Sequence, residues 1–255
     1  EELCMNRNVI VTGSGQGIGY AIAQAFDQQG DRVFIFDMSK DAAESAAQSL
    51  KKGVAYQVDV TDEATVKNAI NDVTNQYGAI DVLVNNAGIQ YISKIEDFPL
   101  DKWNQVIGVI QTGTFLMTKH VLPSMKQQQK GRIVTISSAH GEMADPFKSA
   151  YVASKFAQIG FTKTIALETV DDGITANAVL PGPVRTKLIE NQLAKLAEQD
   201  GTSEQEAMEK HITSKSPMNR LLEPSEIADT VVFLASDGAS AITGETISVS
   251  GGSNA

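Results

Sequence analysis

Three side chains whose types and spacing could perform acid/base chemistry lie close together in the sequence: Ser138, Tyr151 and Lys155. On a helix, Tyr151 and Lys155 would share one face, so the lysine ammonium could favour the ionised form of the phenol. A free tyrosine has a pKa near ~10, so at neutral pH it needs such a cation to act as a base. The same spacing also occurs on ordinary helix surfaces, so the surrounding elements must decide between the two interpretations.

A glycine-rich run, Thr12-Gly-Ser-Gly-Gln-Gly-Ile-Gly19, follows an apolar segment and precedes a helical one. Glycine lets the backbone approach a ligand, and amides at the start of the helix can hold a pyrophosphate. Asp37 ends the next apolar run, where a carboxylate would bind both ribose hydroxyls and repel a 2′-phosphate. NAD is therefore predicted in preference to NADP, although Lys40 keeps NADP open. Asp59, after the third run, is interpreted either as a neighbour of the adenine or as a turn aspartate.

The composition is that of a globular chain without features for binding nucleic acid or lipid. Of its 255 residues, 42% are hydrophobic and 20% are charged, and the net charge is −10. Such a chain lacks the basic surface that nucleic acids need, and no uncharged apolar run approaches the ~18 to 20 residues of a membrane span. The single cysteine, Cys4, excludes an internal disulfide, and no apolar signal segment is visible, so a cytoplasmic location is expected. His120 and His211 lack metal-ligand spacing, so no metal site is predicted.

Apolar, β-rich runs alternate with helical patterns along the chain. Seven buried strands are predicted at Asn8–Thr12, Arg32–Asp37, Val54–Val58, Val82–Asn85, Arg132–Ser137, Ile174–Leu180 and Thr246–Val249. Helices are predicted at Ile18–Gln29, Ala42–Lys51, Glu63–Tyr77, Leu100–Met125, Ala150–Thr169 and Ser225–Ala235. This alternation predicts an α/β fold with a doubly wound parallel sheet and helices on both faces. No linker divides the chain, so residues 1–255 are predicted to form one domain, with the polar segment 186–217 as a substrate lid.

The order of these motifs resembles the short-chain dehydrogenase/reductase superfamily along essentially the full chain. The resemblance rests on the glycine-rich run, Asp59, Asn85-Asn-Ala-Gly88, Ser138, Tyr151-x-x-x-Lys155 and Pro181-Gly182. It implies a seven-stranded Rossmann domain, usually in a homotetramer, that moves a hydride between NAD(P) and an alcohol or carbonyl. It also implies that Asn85 and Gly88 line the cofactor and that Thr186 holds the nicotinamide carboxamide. The expected cofactor-binding residues are Gly13, Ser14, Gln16, Gly17, Ile18, Gly19, Asp37, Asp59, Val60, Asn86, Ala87, Gly88, Tyr151, Lys155, Pro181, Gly182, Val184 and Thr186.

A dinucleotide bound there gives each catalytic side chain a role. Ser138 would hydrogen-bond the substrate oxygen and hold it beside Tyr151. Tyr151 would take the hydroxyl proton during oxidation and return it during reduction. Lys155 would bind the nicotinamide ribose and lower the pKa of Tyr151.

One member of the usual catalytic group is missing. The family usually has an asparagine seven residues after the tryptophan, Trp103, and this chain has Ile110. That asparagine normally positions a water that relays protons from the lysine, and isoleucine cannot form such hydrogen bonds. Three explanations compete: Gln111 or another polar group substitutes, the enzyme works slowly, or the protein binds a dinucleotide without turnover, as a sensor or assembly partner. The first two are favoured because the other catalytic residues are retained.

The loops resemble more narrowly the bacterial 3-hydroxybutyrate dehydrogenases. In that family the residues matching Gln90, His140, Lys148 and Gln192 grip a small carboxylate, beside Ser138 and Tyr151. The leading hypothesis is therefore an NAD-dependent dehydrogenase acting on a small hydroxy acid, with 3-hydroxybutyrate and acetoacetate as the first pair. The alternatives are reduction of diacetyl or acetoin, or of a 3-oxoacyl thioester, with Lys148 a surface lysine and His140 a loop histidine.

Overall fold

The computed structural model describes residues 6–211 and 216–254, and its centre is a parallel β-sheet. The strands are β1 (Asn8–Thr12), β2 (Arg32–Asp37), β3 (Gly53–Gln57), β4 (Val82–Asn85), β5 (Gly131–Ile136), β6 (Ile174–Pro181) and β7 (Thr246–Val249). These seven strands lie in the order β3-β2-β1-β4-β5-β6-β7. Every neighbouring pair is parallel, as the alternation of strands and helices predicted.

Helices cover both faces of this sheet. They are α1 (Gly17–Gln28), α2 (Lys40–Gln48), α3 (Glu63–Tyr77), α4 (Leu100–Ile107), α5 (Gly113–Gln128), α6 (Ser149–Thr169), α7 (Lys187–Asp200), α8 (Glu204–His211) and α9 (Pro224–Leu234). One apolar core joins the sheet to α1, α2 and α9, and a second joins it to α3, α5 and α6. None of the helices within the described ranges has the length and apolarity needed to cross a membrane. The predicted doubly wound, Rossmann-type α/β fold is confirmed.

A π-helical turn, Gly108–Thr112, separates α4 from α5, so the prediction of one uninterrupted helix from Leu100 to Met125 is wrong at this point. The turn contains Ile110, the residue that replaces the usual asparagine. A single π turn adds no hydrophobic periodicity of its own, which explains why the sequence pattern did not reveal it. Turns of this kind are frequent at functional sites because they redirect backbone groups.

The strand order reverses direction between β1 and β4, and this switch point fixes the place of the binding crevice. In open parallel sheets, ligands bind outside the carboxyl ends of the strands at such a point. The glycine-rich turn follows β1 there, and the segment Asn86–Gly88 follows β4. The predicted lid contains α7 and α8, and residues 212–215 of that segment lie outside the described part of the chain. Its role as a lid stays a prediction.

Candidate active site

The glycine-rich turn between β1 and α1 leaves its backbone open to a ligand. Gly17, the first residue of α1, has a φ of 61°, a backbone conformation that residues with a side chain rarely adopt. A side-chain carbon at Gly19 would collide with the carbonyl of Gly13 and would lie 2.5 Å from Nδ2 of Asn86. Gln16 precedes α1, and none of the described side chains caps that helix. The first amides of α1 can therefore bind an anion, which gives the turn the form of a phosphate cradle.

Asn86 connects this cradle to the end of β4. Its Nδ2 donates hydrogen bonds to the carbonyl oxygens of Thr12 at 2.9 Å and Gly13 at 3.0 Å. The Thr12 hydroxyl in turn accepts hydrogen bonds from the backbone amides of Asn86 and Ala87, both at 3.0 Å. Asn86 and Ala87, which were predicted as cofactor contacts, thus brace the cradle, and their contact with a dinucleotide stays a prediction.

Two further residues predicted at the dinucleotide have hydrogen-bond partners within the chain. Ser14 is buried, and its hydroxyl donates to the Val11 carbonyl at 2.7 Å. The Asp37 carboxylate accepts from the Gly15 amide at 2.9 Å and from the Ser39 amide at 3.0 Å. Asp37 is therefore held at the carboxyl end of β2, beside the glycine-rich turn.

The residues expected near the adenine and the first helix also have structural partners. Asp59 accepts hydrogen bonds from the amide and the hydroxyl of Thr61 at 2.9 and 2.7 Å, as a turn aspartate does. Val60 is buried, and its Cγ2 would lie 2.8 Å from a side-chain carbon at Gly113. Ile18 packs against the core beneath α1. Both interpretations of Asp59 therefore remain compatible with its position.

The segment after β6 forms the opposite side of the crevice. Pro181 ends β6, the Gly182 amide donates to a β7 carbonyl at 2.9 Å, and Val184 is buried. Thr186 caps α7 through its hydroxyl. Its Cγ2 lies 3.8 Å from the position of a side-chain carbon at Gly17. The residue predicted to hold the nicotinamide carboxamide thus lies beside the glycine-rich turn.

Ser138, Tyr151 and Lys155 converge beyond the carboxyl end of β5. The Lys155 ammonium lies 5.5 Å from the centre of the Tyr151 ring and donates to the Ile136 carbonyl at 2.8 Å. Burial raises the pKa of the Tyr151 phenol, and a hydrogen bond with Ser138 opposes this only in part. Burial also lowers the pKa of Lys155 to about 7. The sequence predicted that Lys155 lowers the pKa of Tyr151, but in the protein alone burial shifts both groups towards their neutral forms.

Sequence reasoning missed the polar partner of Lys155. Ile110 is fully buried in a small apolar cluster, and Gln111, the predicted substitute for the missing asparagine, is exposed. The group that contacts the ammonium is Gln158 of α6, whose Oε1 accepts a hydrogen bond from Lys155 Nζ at 3.2 Å. The spacing of three residues, which places Gln158 on the same helix face as Lys155, was the signal available in the sequence.

The loop between β5 and α6 brings His140 and Lys148 together around Asp145. Lys148 Nζ lies 2.7 Å from Asp145 Oδ2, and His140 Nε2 lies 3.4 Å from the same oxygen. His140 Nδ1 is 3.3 Å from Ser138 Oγ, and the His140 and Tyr151 ring centres are 6.0 Å apart. Burial acts to raise the pKa of Asp145, but Lys148 and His140 together lower it. Sequence reasoning missed Asp145, for which an acid three residues before Lys148 was the signal.

The two glutamines predicted at the substrate lie on different segments, the loop after β4 and the helix α7. Gln90 is partly exposed in the loop after β4. Gln192 belongs to α7, and its side chain lies outside the described part of the chain. The structure therefore places His140 beside the Tyr151 ring and Lys148 on the same Asp145 oxygen as His140, whereas substrate contacts of all four residues stay predictions.

A phosphate cradle at the switch point of a parallel sheet, next to a partly buried tyrosine and a buried lysine, defines an oxidoreductase that uses a nicotinamide dinucleotide. The family model described as Enoyl-(Acyl carrier protein) reductase matches residues 13–254. The Uncharacterized oxidoreductase YxjF of Bacillus subtilis (strain 168) is 43% identical over 247 residues, which cover 95% of this chain and 96% of that protein. This chain belongs to the short-chain dehydrogenase/reductase family and is an oxidoreductase that acts on CH–OH groups.

Two further comparisons agree with this family. The D-beta-hydroxybutyrate dehydrogenase of Cupriavidus necator is 37% identical over 251 residues, which cover 96% of this chain and 97% of that protein. The ligand-free structure of Thermoplasma acidophilum aldohexose dehydrogenase (AldT) superposes with a TM-score of 0.88 at 34% identity, covering 98% of this chain and 94% of that one. The names of these relatives cover several substrates, so they confirm the family resemblance without fixing the substrate.

Proposed function

We propose that this protein is an NAD-dependent dehydrogenase that moves a hydride between nicotinamide and a small hydroxy acid or its keto acid, with 3-hydroxybutyrate and acetoacetate as the first pair to test. The observation that carries the proposal is the position of Lys148 and His140 around the carboxylate of Asp145. These donors bind one carboxylate, the His140 ring lies 6.0 Å from the Tyr151 ring, and a substrate carboxylate can use the same hydrogen-bonding chemistry. The D-beta-hydroxybutyrate dehydrogenase among the relatives supports the same substrate class.

The residues of the crevice fit a nicotinamide dinucleotide. The open position beside Gly17, where a side-chain carbon would meet only Thr186 Cγ2 at 3.8 Å, and the uncapped start of α1 suit a pyrophosphate. Thr186 would hold the carboxamide, and Lys155 would bind the ribose hydroxyls next to the nicotinamide. When bound, the nicotinamide supplies the centre that accepts or donates the hydride.

Side chains of the protein carry out the proton transfer. During oxidation the Tyr151 Oη accepts the proton of the substrate hydroxyl, and during reduction it donates that proton to the carbonyl oxygen. Ser138 Oγ hydrogen-bonds the same substrate oxygen and holds it next to Oη. Because burial raises the pKa of Tyr151, the phenolate needs positive charge nearby, and the Lys155 ammonium is the cation in contact with its ring.

Asp37 supports NAD rather than NADP as the cofactor. The amides of Gly15 and Ser39 hold its carboxylate at the end of β2, where it can accept hydrogen bonds from ribose hydroxyls and repel a 2′-phosphate. Lys40, which could attract that phosphate, lies 3.7 Å from the carboxylate of Glu44.

A second candidate is the reduction of a neutral dicarbonyl or hydroxyketone, such as diacetyl or acetoin. The observation in its favour is again Asp145, because its carboxylate already neutralises the Lys148 ammonium. A pocket with little net positive charge attracts an anion weakly, whereas a neutral substrate needs only hydrogen-bond donors.

We expect the protein to work as a homotetramer in the cytoplasm. Phe115 of α5 and Phe156 and Leu167 of α6 expose 45%, 46% and 81% of their surface. Large apolar side chains exposed on neighbouring helices favour association with another surface. Sedimentation equilibrium should therefore give about four times the chain mass of 27.3 kDa.

The test of the reaction follows NADH absorbance with 3-hydroxybutyrate, acetoin and a 3-oxoacyl thioester. The parent protein should oxidise 3-hydroxybutyrate, and Tyr151→Phe should lower kcat by about 10²- to 10⁴-fold while NADH fluorescence still reports binding. Lys148→Ala should raise KM for the hydroxy acid, because the substrate loses charge-assisted hydrogen bonding worth ~1.5 to 3 kcal/mol. It should not change KM for acetoin. Lys67→Ala, on the exposed face of α3, is the matched control and should behave as the parent.

Three other results would redirect the proposal. An unchanged KM for the hydroxy acid in Lys148→Ala would remove Lys148 as the anchor. Turnover of acetoin alone would favour the second candidate. Tight NADH binding without turnover of any substrate would favour the hypothesis of a non-catalytic dinucleotide-binding protein.

A further inference from the structure

The backbone near Ile110 has a side-chain partner on the neighbouring helix. Ile110 itself is fully buried among apolar side chains, so its own side chain offers no hydrogen bond to Lys155. Its carbonyl belongs to the π-helical turn and accepts a hydrogen bond from the Thr114 hydroxyl at 2.7 Å. Gln158, which is 1% exposed, donates from Nε2 to the same Ile110 carbonyl at 3.3 Å and to Thr114 Oγ1 at 2.8 Å.

These contacts fix the orientation of the Gln158 amide. The Thr114 hydroxyl donates its proton to the Ile110 carbonyl, so it can only accept a hydrogen bond from Gln158. The Ile110 carbonyl can likewise only accept one. The NH₂ group of Gln158 must therefore face these two acceptors, which leaves Oε1 facing Lys155. Lys155 Nζ donates to that oxygen at 3.2 Å and to the Ile136 carbonyl at 2.8 Å.

We propose that Gln158 is the positioning residue for Lys155, and that it supplies from α6 the polar side chain that Ile110 does not supply at the position of the family's asparagine. An ammonium has three N–H donors, and Gln158 and Ile136 occupy two of them. The third remains for the crevice, where a side-chain carbon at Gly88 would lie 3.9 Å from Nζ. Gln158 thus holds the ammonium between the Tyr151 ring and the cofactor side of the site.

The groups around Lys155 make its protonation depend on the hydrogen bond with Gln158. The titratable group near Lys155 on α6 is the Tyr151 phenol. The other polar groups of this region are neutral: the backbone carbonyls of Ile136 in β5 and Ile110 in the π-helical turn, and the Thr114 hydroxyl of α5. No salt bridge joins Lys155 to a carboxylate within the described residues. The charged form of Lys155 therefore depends on neutral acceptors, of which Gln158 is the only side chain described in hydrogen-bond contact.

The inference rests on the proposed function, because it concerns the lysine of the proposed catalytic group. Its test nevertheless measures Lys155 directly, by the NMR titration of ¹³Cε-labelled lysine in the absence of substrate, with the Lys155 signal assigned by its loss in Lys155→Met. Failure of every substrate in the assay would count against the proposed function and leave this titration informative.

Gln158→Met keeps the length of the side chain and removes its acceptor. It should lower the affinity of Lys155 for its proton about 10-fold, because the ammonium loses a hydrogen bond. The alkaline limb of the pH profile of kcat should move to lower pH by the corresponding interval. Thr114→Val, which removes one anchor of the amide, should shift both in the same direction by about 2- to 3-fold. The double variant Ile110→Asn with Gln158→Met should recover most of the loss, because an amide returns to the family position.

Thr162→Val is the matched control on α6. Thr162 is equally buried, and its hydroxyl has no hydrogen-bond partner among the described residues, so the change removes a buried polar atom without touching Lys155. It should leave the proton affinity of Lys155 the same as in the parent protein. The proposal would be overturned by a Gln158→Met protein with parental circular dichroism and an unchanged Lys155 titration. An equal shift in Thr162→Val, or no recovery in the double variant, would also overturn it. If Gln158→Met does not fold, Thr114→Val decides alone, and an unshifted Lys155 titration there would overturn the proposal.

Discussion

Two regions of the active site, the floor formed by Ile136, Lys155 and Gln158 and the outer loop from His140 to Lys148, each hold one lysine, and they hold it in opposite ways. On the floor, Lys155 is buried and bonded to neutral acceptors, the Ile136 carbonyl and Gln158. On the outer loop, Lys148 is partly exposed and forms an ion pair with Asp145. Burial without a counter-charge lowers the pKa of Lys155 to about 7, whereas Lys148 has a carboxylate within 2.7 Å. The floor is therefore suited to proton chemistry and the loop to selecting a substrate by its charge.

The largest expected difference between the two regions is the pH dependence of stability that Lys155 causes. Its pKa is about 7 in the folded protein and near ~10.4 in the unfolded chain, so between these values the unfolded state binds more protons. The free energy of unfolding should therefore rise with pH through this window, and burial of the ammonium should cost stability below it. In urea titrations, the free energy of unfolding of the parent, measured relative to that of Lys155→Met, should rise by about 3 kcal/mol between about pH 7 and 9.5. A constant difference between the two proteins would mean that Lys155 keeps an ordinary pKa in the fold.

On the floor and in the loop alike, local backbone form and helix spacing were more accessible to sequence reasoning than contacts between elements. The glycine-rich run, Tyr151 and Lys155 act through local backbone form and spacing along one helix, and both are visible in one sequence. Asp145 and Gln158 act through side-chain contacts whose geometry depends on the folded loop and on the packing of α5 against α6. The π-helical turn at Ile110 likewise depends on that packing, so neither it nor the contact of Gln158 with Ile110 could be predicted from periodicity.

A smaller effect is expected when the charge of the outer loop is changed. Asp145→Asn removes a partly exposed ion pair, so the free energy of unfolding should fall by less than about 1 kcal/mol. The same change leaves Lys148 for the substrate, so KM for a hydroxy acid should fall by up to about 5-fold, the equivalent of about 1 kcal/mol, while KM for acetoin stays constant. Asp171→Asn, an exposed acid beyond the end of α6, is the control and should change neither.

Results for Asp145→Asn would distinguish the two candidate functions. A rise in KM for the hydroxy acid would show that Asp145 orients Lys148 for substrate instead of competing with it. Loss of acetoin turnover in the same variant would assign Asp145 to the binding of a neutral substrate.

The smallest expected effect comes from backbone strain in the outer loop. Phe147 is a half-exposed residue with a φ of 68°, and its carbonyl accepts a hydrogen bond from the Ser93 amide at 2.9 Å. Gln129, at the end of α5 and away from the site, has a similar φ of 54°. Asparagine tolerates this conformation better than either residue, so Phe147→Asn and Gln129→Asn should each raise the free energy of unfolding by about 0.5 to 1 kcal/mol.

Only one of these two substitutions should affect the reaction. Phe147 immediately precedes Lys148, so relaxing its backbone should alter KM for the hydroxy acid, whereas Gln129→Asn should leave KM and kcat unchanged. Urea denaturation and the NADH assay on both variants provide the measurement. A change of KM in Gln129→Asn would mean that stability itself alters substrate binding. Equal behaviour of the two variants would then remove the assignment of substrate selection to the outer loop, because strain there would have no more influence than strain at a distant helix end.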